Sequence, residues 1–171
     1  MLLEDHDLIQ FAYAVGLVAV AAEWLAYHFH CGVKFRRWSA IAALLWALQY
    51  LCLGALSAAL NMALTAVRTL LSGLIERSVV KNLAALLFCV LFAGLTAISW
   101  QGWSSLLPAF AVINTTLAQF YLGNKAMRMT LLLSSLAWVS NDWIWQAWPA
   151  LVAESVAILI NLRSIAKMAA D

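Results

Sequence analysis

Charge is scarce in this sequence. Asp, Glu, Lys and Arg make up 11% of the chain, where a soluble domain carries about 25%. The deficit excludes a water-facing surface over most of the exterior, and a mean hydropathy of +0.90 makes lipid the expected solvent. A basic leader is also missing. The opening Met1-Leu2-Leu3-Glu4-Asp5-His6-Asp7 is acidic where a cleavable signal is basic, so the first apolar segment is expected to stay as a membrane helix. Cysteine is sparse and irregular: Cys31, Cys52 and Cys89 show neither metal-ligand spacing nor an even-numbered disulfide framework. They read as small buried apolar residues. No Ser-His-Asp set, H-E-x-x-H, phosphate loop, zinc spacing or nucleic-acid signature is present, so neither an enzyme nor a cofactor or metal site is expected. His28, His30 and Cys31 resemble a ligand cluster only on paper. Helical neighbours two positions apart point about 200° away from each other.

What the sequence does have is long apolar runs. Roughly 20 apolar residues in a helix cross a hydrocarbon core of about 30 Å. Leu8 to His30 makes one span, Asn82 to Ser99 another, and Ser104 to Leu122 a third. Trp38 to Gly73 is double length, interrupted only by Arg68, and a turn near Gly54 to Ser57 would fold it into a hairpin. Met129 to Ile165 is also double length, broken at Trp148-Pro149, because proline suits the first turn of a helix. The expected total is seven spans in one domain.

Charge placement supports that count. Lys34, Arg36, Arg37, Arg77, Lys81, Lys125, Arg128, Arg163 and Lys167 all fall at ends that seven spans place on one side. The other side carries Glu4, Asp5 and Asp7, uncharged turns, and Trp100, Trp103, Trp143, Trp145 and Trp148. Basic ends stay in the cytoplasm and tryptophans favour the interface, so the N-terminus is expected outside, in the periplasm, and the C-terminus in the cytoplasm.

Gly32-Val33-Lys34-Phe35-Arg36-Arg37 recurs as Gly123-Asn124-Lys125-Ala126-Met127-Arg128. Phe29-His30 and Phe120-Tyr121 precede the two copies, Glu23 aligns with Asn114, and a double-length hairpin ending in Arg68 or Arg163 follows each. The bland account is that any basic loop looks like G-x-K-x-x-R. The matching order predicts an all-α membrane fold of two parallel three-helix repeats, about residues 8–75 and 104–168, joined by a linker helix at about 82–99. Small transporters of that layout bind substrate near the midplane.

Leu53 through Asn61, Arg68 through Leu71, Leu106-Leu107-Pro108 and Ile160-Asn161-Leu162-Arg163 resemble the bacterial inner-membrane YgjV family. That resemblance implies fold and location rather than chemistry. The 3+1+3 layout also looks like the SWEET and PQ-loop group, which includes sugar facilitators. The sequence lacks that group's Pro-Gln pair, and only Pro108 stands where a helix-kinking proline is expected; Leu17 takes that place in the first repeat. By this resemblance Trp46, Asn61, Trp138 and Glu154 would line a central pocket, with Trp46 and Trp138 on the second helix of each repeat and Asn61 and Glu154 on the third. An aromatic face beside a hydrogen-bonding group suits a sugar, nucleoside or heterocycle. The bland reading of each tryptophan is packing.

Ionisable groups within spans are functional candidates by default. Glu23 and Arg68 share a depth in the first bundle, where they would either form a structural ion pair or serve substrate binding or gating. Asp142 and Glu154 lie on the outer sides of spans six and seven. If close, they suit proton-coupled transport or a cationic solute. Alternatively, Asp142, next to Asn141 and the tryptophan belt, is solvated at the interface, while Glu154 faces inward. The small-residue run from Ala55 to Ala66 suits close helix contact, within the chain first and in a homodimer second. The expected function is a small-solute transporter or facilitator for a small polar or heterocyclic solute. The alternative is a non-transporting receptor or scaffold of the same fold. Membrane lipids are partners in either case.

Overall fold

The computed structural model describes residues 2–29, 31–75, 77–122 and 124–170, with the side chains of 2–5, 27, 124–125 and 167–170 left aside. His30, Gly123 and the side chains of Glu4, Asp5, Lys125 and Lys167 lie outside the described residues. Among the described residues there are seven α-helices: α1 (Leu2–His28), α2 (Gly32–Cys52), α3 (Leu56–Ser72), α4 (Ser78–Ile98), α5 (Leu106–Tyr121), α6 (Asn124–Ile144) and α7 (Trp148–Ala170). A single 3₁₀ turn, Trp103–Ser105, leads into α5.

The breaks fall where local chemistry demands them. The first double-length run turns at Leu53 to Ala55, with Gly54 at φ +79°, a left-handed conformation that glycine adopts without steric cost. The second turns before Trp148, and Pro149 sits in the first turn of α7, where no intrahelical donor is needed. Pro108 likewise occupies the first turn of α5, so it starts that helix and does not kink it. The basic segments differ from expectation. α2 begins at Gly32 and α6 at Asn124, so Lys34, Arg36, Arg37 and Arg128 belong to the first two turns of helices and not to loops. Lys and Arg are good helix formers whose long stems carry the charge outward, so an apolar-run boundary underestimates the helix.

The packing is inverted relative to a soluble bundle. The buried set is rich in alanine, including Ala12, Ala19, Ala40, Ala58, Ala111 and Ala150. Leucines and valines such as Leu17, Leu83, Leu86, Val90, Leu133 and Leu159 point outward. Small residues let helix backbones approach closely where lipid supplies no hydrophobic drive, and the large apolar side chains face the lipid. Among the described residues three helices are long and apolar enough to cross a membrane, over His6–Ala26, Ser78–Ile98 and Trp148–Ala166; Leu56–Ser72 is apolar but shorter.

α2 packs between α1 and α3, and α6 between α5 and α7. Contacts of α1 with α7 and of α3 with α5 close these into a ring, and α4 lies against α3 and α5. Three turns gather at one end. Gln101 Nε2 donates to the Gly54 carbonyl at 2.8 Å, and Trp145 packs beside Gly54. Trp100 stacks edge-on with Trp103, and Trp143 with Trp148, on the outside of this end. The opposite end is basic and cross-tied. Arg36 covers Gly73, Lys81 lies over the Tyr121 ring, and Arg128 exchanges hydrogen bonds with Asn161.

Candidate functional site

The ring of helices surrounds a partly open cavity of about 240 Å³. α2 contributes the longest wall because Ser39, Ala43, Trp46 and Tyr50 recur at helical three- and four-residue spacing on one face. α1 adds Glu23, α3 adds Thr65 and Arg68, α5 adds Gln119, and α7 adds Glu154 between Ala150 and Ala157. The small residues on α2 and α7 leave the room that the polar groups face. Lining reaches Phe35, Thr69 and Gln119 toward the basic end and stops at Tyr50 and Ala150 toward the tryptophan end.

Of the residues expected to form a pocket, Trp46 and Glu154 line the cavity. Trp46 is held edge-on to Glu23 by an Nε1–H donated to its carboxylate at 3.2 Å. Glu154 keeps one carboxylate oxygen buried without a hydrogen-bond partner. Asn61 does not reach the cavity. Its amide is spent on the Ser57 carbonyl at 2.8 Å and on Thr96 of α4 at 3.0 Å, so it binds α3 to α4. Trp138 stands one layer back, stacked on Tyr50 with centroids 5.7 Å apart and planes 17° apart.

The ion pair between Glu23 and Arg68 is not formed. α2 separates α1 from α3, so the two charges face the cavity from different walls. Arg68, 3% exposed, reaches sideways to the Val112 carbonyl and the Thr116 hydroxyl of α5, and its guanidinium lies over the Phe92 ring. It closes the α3–α5 seam. Asn114, the counterpart of Glu23, donates to the Thr130 carbonyl and to Ser134, both at 2.8 Å, and joins α5 to α6 away from the cavity. Interfacial solvation of Asp142 is also overturned: the residue is 0% exposed. α6 turns it inward, behind the tryptophan belt, where the Tyr50 hydroxyl donates to its Oδ1 at 2.6 Å and Asn141 Nδ2 approaches at 3.4 Å.

Tyr50 and Gln49 were not singled out from sequence, because neither is charged at neutral pH. The signal available was two adjacent polar groups four and five residues before Gly54 inside an apolar run. Gln49 is fully buried, and both of its amide atoms lack partners. Among the described residues no group of three or more His, Cys, Asp or Glu side chains is placed to hold a metal.

An alanine-lined bundle with leucines outward and its polar groups turned to the centre is built for lipid. A family model described as bacterial inner membrane protein, Imp-YgjV, matches residues 10–171. The chain belongs to this family. No curated protein and no solved structure matches it. The cavity therefore belongs to a bacterial inner-membrane protein, and two ionisable acids and an arginine stand on its walls. Such groups are expensive there, and they face a bundle interior when they carry function.

Proposed function

We propose that this chain is a small-solute transporter or facilitator of the bacterial inner membrane, binding its solute in the cavity between the helices. The observation that carries the reading is the convergence of Trp46, Glu23, Arg68 and Glu154 on one central space. A volume of about 240 Å³ lies below the range of roughly 300–1,000 Å³ usual for drug-sized ligands, so the solute is small. Trp46 supplies a flat face and Glu154 a free oxygen, a pairing for a polar or heterocyclic molecule. Tyr50, Trp138 and Asp142 form the floor behind them.

The proposal includes seven crossings, with the N-terminus periplasmic and the C-terminus cytoplasmic. The clustering of arginines and lysines at one end and tryptophans at the other supports it. α1–α3 and α5–α7 are then two parallel bundles with α4 as the linker, an arrangement used by small transporters with a midplane site. Each bundle has its second helix in the middle, and each sends a polar side chain from its first helix to its second: Glu23 meets Trp46, and Asn114 meets Ser134. With the basic end cytoplasmic, a cavity lined further toward that end fits an inward-facing state. The same one-sided cavity also fits a receptor that binds a solute without moving it. Neither reading involves enzymatic chemistry, a cofactor or nucleic acid.

The test is solute identification by mass spectrometry of the purified protein, followed by uptake into proteoliposomes. Uptake should fall at least tenfold in Glu154→Gln and Trp46→Ala. Binding without any protein-dependent uptake would favour the receptor, and flux untouched by both substitutions would remove the cavity from the mechanism.

A further inference from the structure

At the cavity floor and below it lies a set of buried polar atoms without hydrogen-bond partners. Asp142 is fully buried and its Oδ2 has no hydrogen-bond partner. Asn141, 1% exposed, has a partnerless Oδ1 beside it, and Glu154 has a partnerless Oε2. Each of these orphans is an acceptor. Acceptors stranded inside a membrane protein call for a donor, and the smallest donor a carboxylate can take up is a proton. One residue connects the two acids. Tyr50 lines the cavity and donates its hydroxyl to Asp142 at 2.6 Å. Glu154 of α7 and Glu23 of α1 line the same cavity as Tyr50. On the remaining wall, Arg68 of α3 is committed to α5 and Phe92.

We propose that the cavity floor is a proton-exchange site in which Glu154 and Asp142 alternately hold one proton, passed through the Tyr50 hydroxyl. Glu154 faces the solute space and Asp142 faces the tryptophan end, so the exchange carries a proton across the floor where the solute space stops. In the transfer the neutral Glu154 carboxyl releases its proton, by way of cavity water, to the Tyr50 oxygen. The hydroxyl proton of Tyr50 moves at the same time to the Asp142 carboxylate. Glu154 ends ionised, Asp142 ends neutral, Tyr50 is unchanged, and nothing is oxidised or reduced. Coupling of this exchange to solute movement rests on the transport reading above; the proton site itself does not.

The experiment is infrared difference spectroscopy of the full chain in lipid nanodiscs during a pH titration, read at the carbonyl stretch of neutral carboxylic acids. Two titrating bands are expected. Asp142→Asn removes one and Glu154→Gln the other, and each substitution shifts the titration midpoint of the band that remains. Tyr50→Phe displaces the Asp142 band in frequency without abolishing it, a signature that loss of packing alone does not produce. Should Asp142→Asn fail to fold, the Glu154→Gln and Tyr50→Phe spectra still decide. Absence of a neutral-acid band from either residue overturns the proposal, as does an Asp142 midpoint unmoved in Glu154→Gln or a titration that follows sodium and not pH. Solute uptake by a protein lacking the bands would sink the proton site and leave transport standing. Bands without uptake would do the reverse.

Discussion

The Tyr50 hydroxyl stands 2.6 Å from Asp142 Oδ1 and ties α2 to α6 beneath the cavity. The Trp138 ring stacked on Tyr50 holds that hydroxyl in place from the side.

Tyr50→Phe should therefore destabilise the fold. Interhelical hydrogen bonds in membrane proteins average about 0.6 kcal/mol and reach about 1.7 kcal/mol. This bond belongs at the upper end, because its loss strips the principal donor from a fully buried carboxyl group. The expected cost is about 1–2 kcal/mol, measured as a lower unfolding midpoint in detergent. An unchanged midpoint would mean that water already serves Asp142.

Two glycines should respond oppositely to alanine. A Cβ at Gly16 would stand 2.5 Å from Gln49 Oε1 and 2.9 Å from Pro149 Cβ. Gln49 is fully buried and Pro149 is rigid, so neither can yield. Gly16→Ala should cost about 1–3 kcal/mol by overpacking the meeting of α1, α2 and α7. At Gly94 a Cβ meets nothing within 4 Å. Gly94→Ala should be neutral or stabilising by up to about 1 kcal/mol, the helix-propensity gain. Parallel thermal melts compare the two.

Asn61 and Glu154 separate architecture from binding. Asn61→Ala breaks the link from α3 to Thr96 and should lower stability by about 1 kcal/mol, with solute affinity unchanged once the protein is folded. Glu154→Gln should leave stability nearly intact and weaken binding about tenfold or more, measured by titration calorimetry with the co-purified solute. Equal loss of affinity in both would return Asn61 to the site.

Cys31 reports on sidedness. It is exposed just before α2 at the basic end, and the backbone N–H groups of Lys34 and Val33, aided by the Lys34 and Arg36 charges, hold its thiol below the ordinary range. The thiolate is the reacting form, so labelling should persist to lower pH than for a free thiol and outpace that of Cys52 and Cys89. A membrane-impermeant maleimide should reach Cys31 in inverted vesicles and not in intact spheroplasts. Labelling from the periplasm would reverse the proposed orientation.

Composition and local chemistry alone settled the solvent, the helical class and most helix ends. An apolar chain in lipid must satisfy its own backbone, and Gly54 and Pro149 mark the turns inside the two double-length runs, whereas the basic clusters fall within the helices. Family membership was legible too, from the stretch through Asn61 and Arg68. Which polar groups meet was not, because that depends on the rotation of each helix about its axis and on which helix lies between two others. α2 stands between α1 and α3, and so Glu23 and Arg68, level in the sequence reading, never pair. Asn61 turns to α4, Asn114 turns to α6, and Asp142 turns from the expected watery interface to Tyr50. Only the packed ring decided that Trp46, Glu154, Glu23 and Arg68 share one space, since side-chain direction is a property of the assembled bundle and not of any single helix.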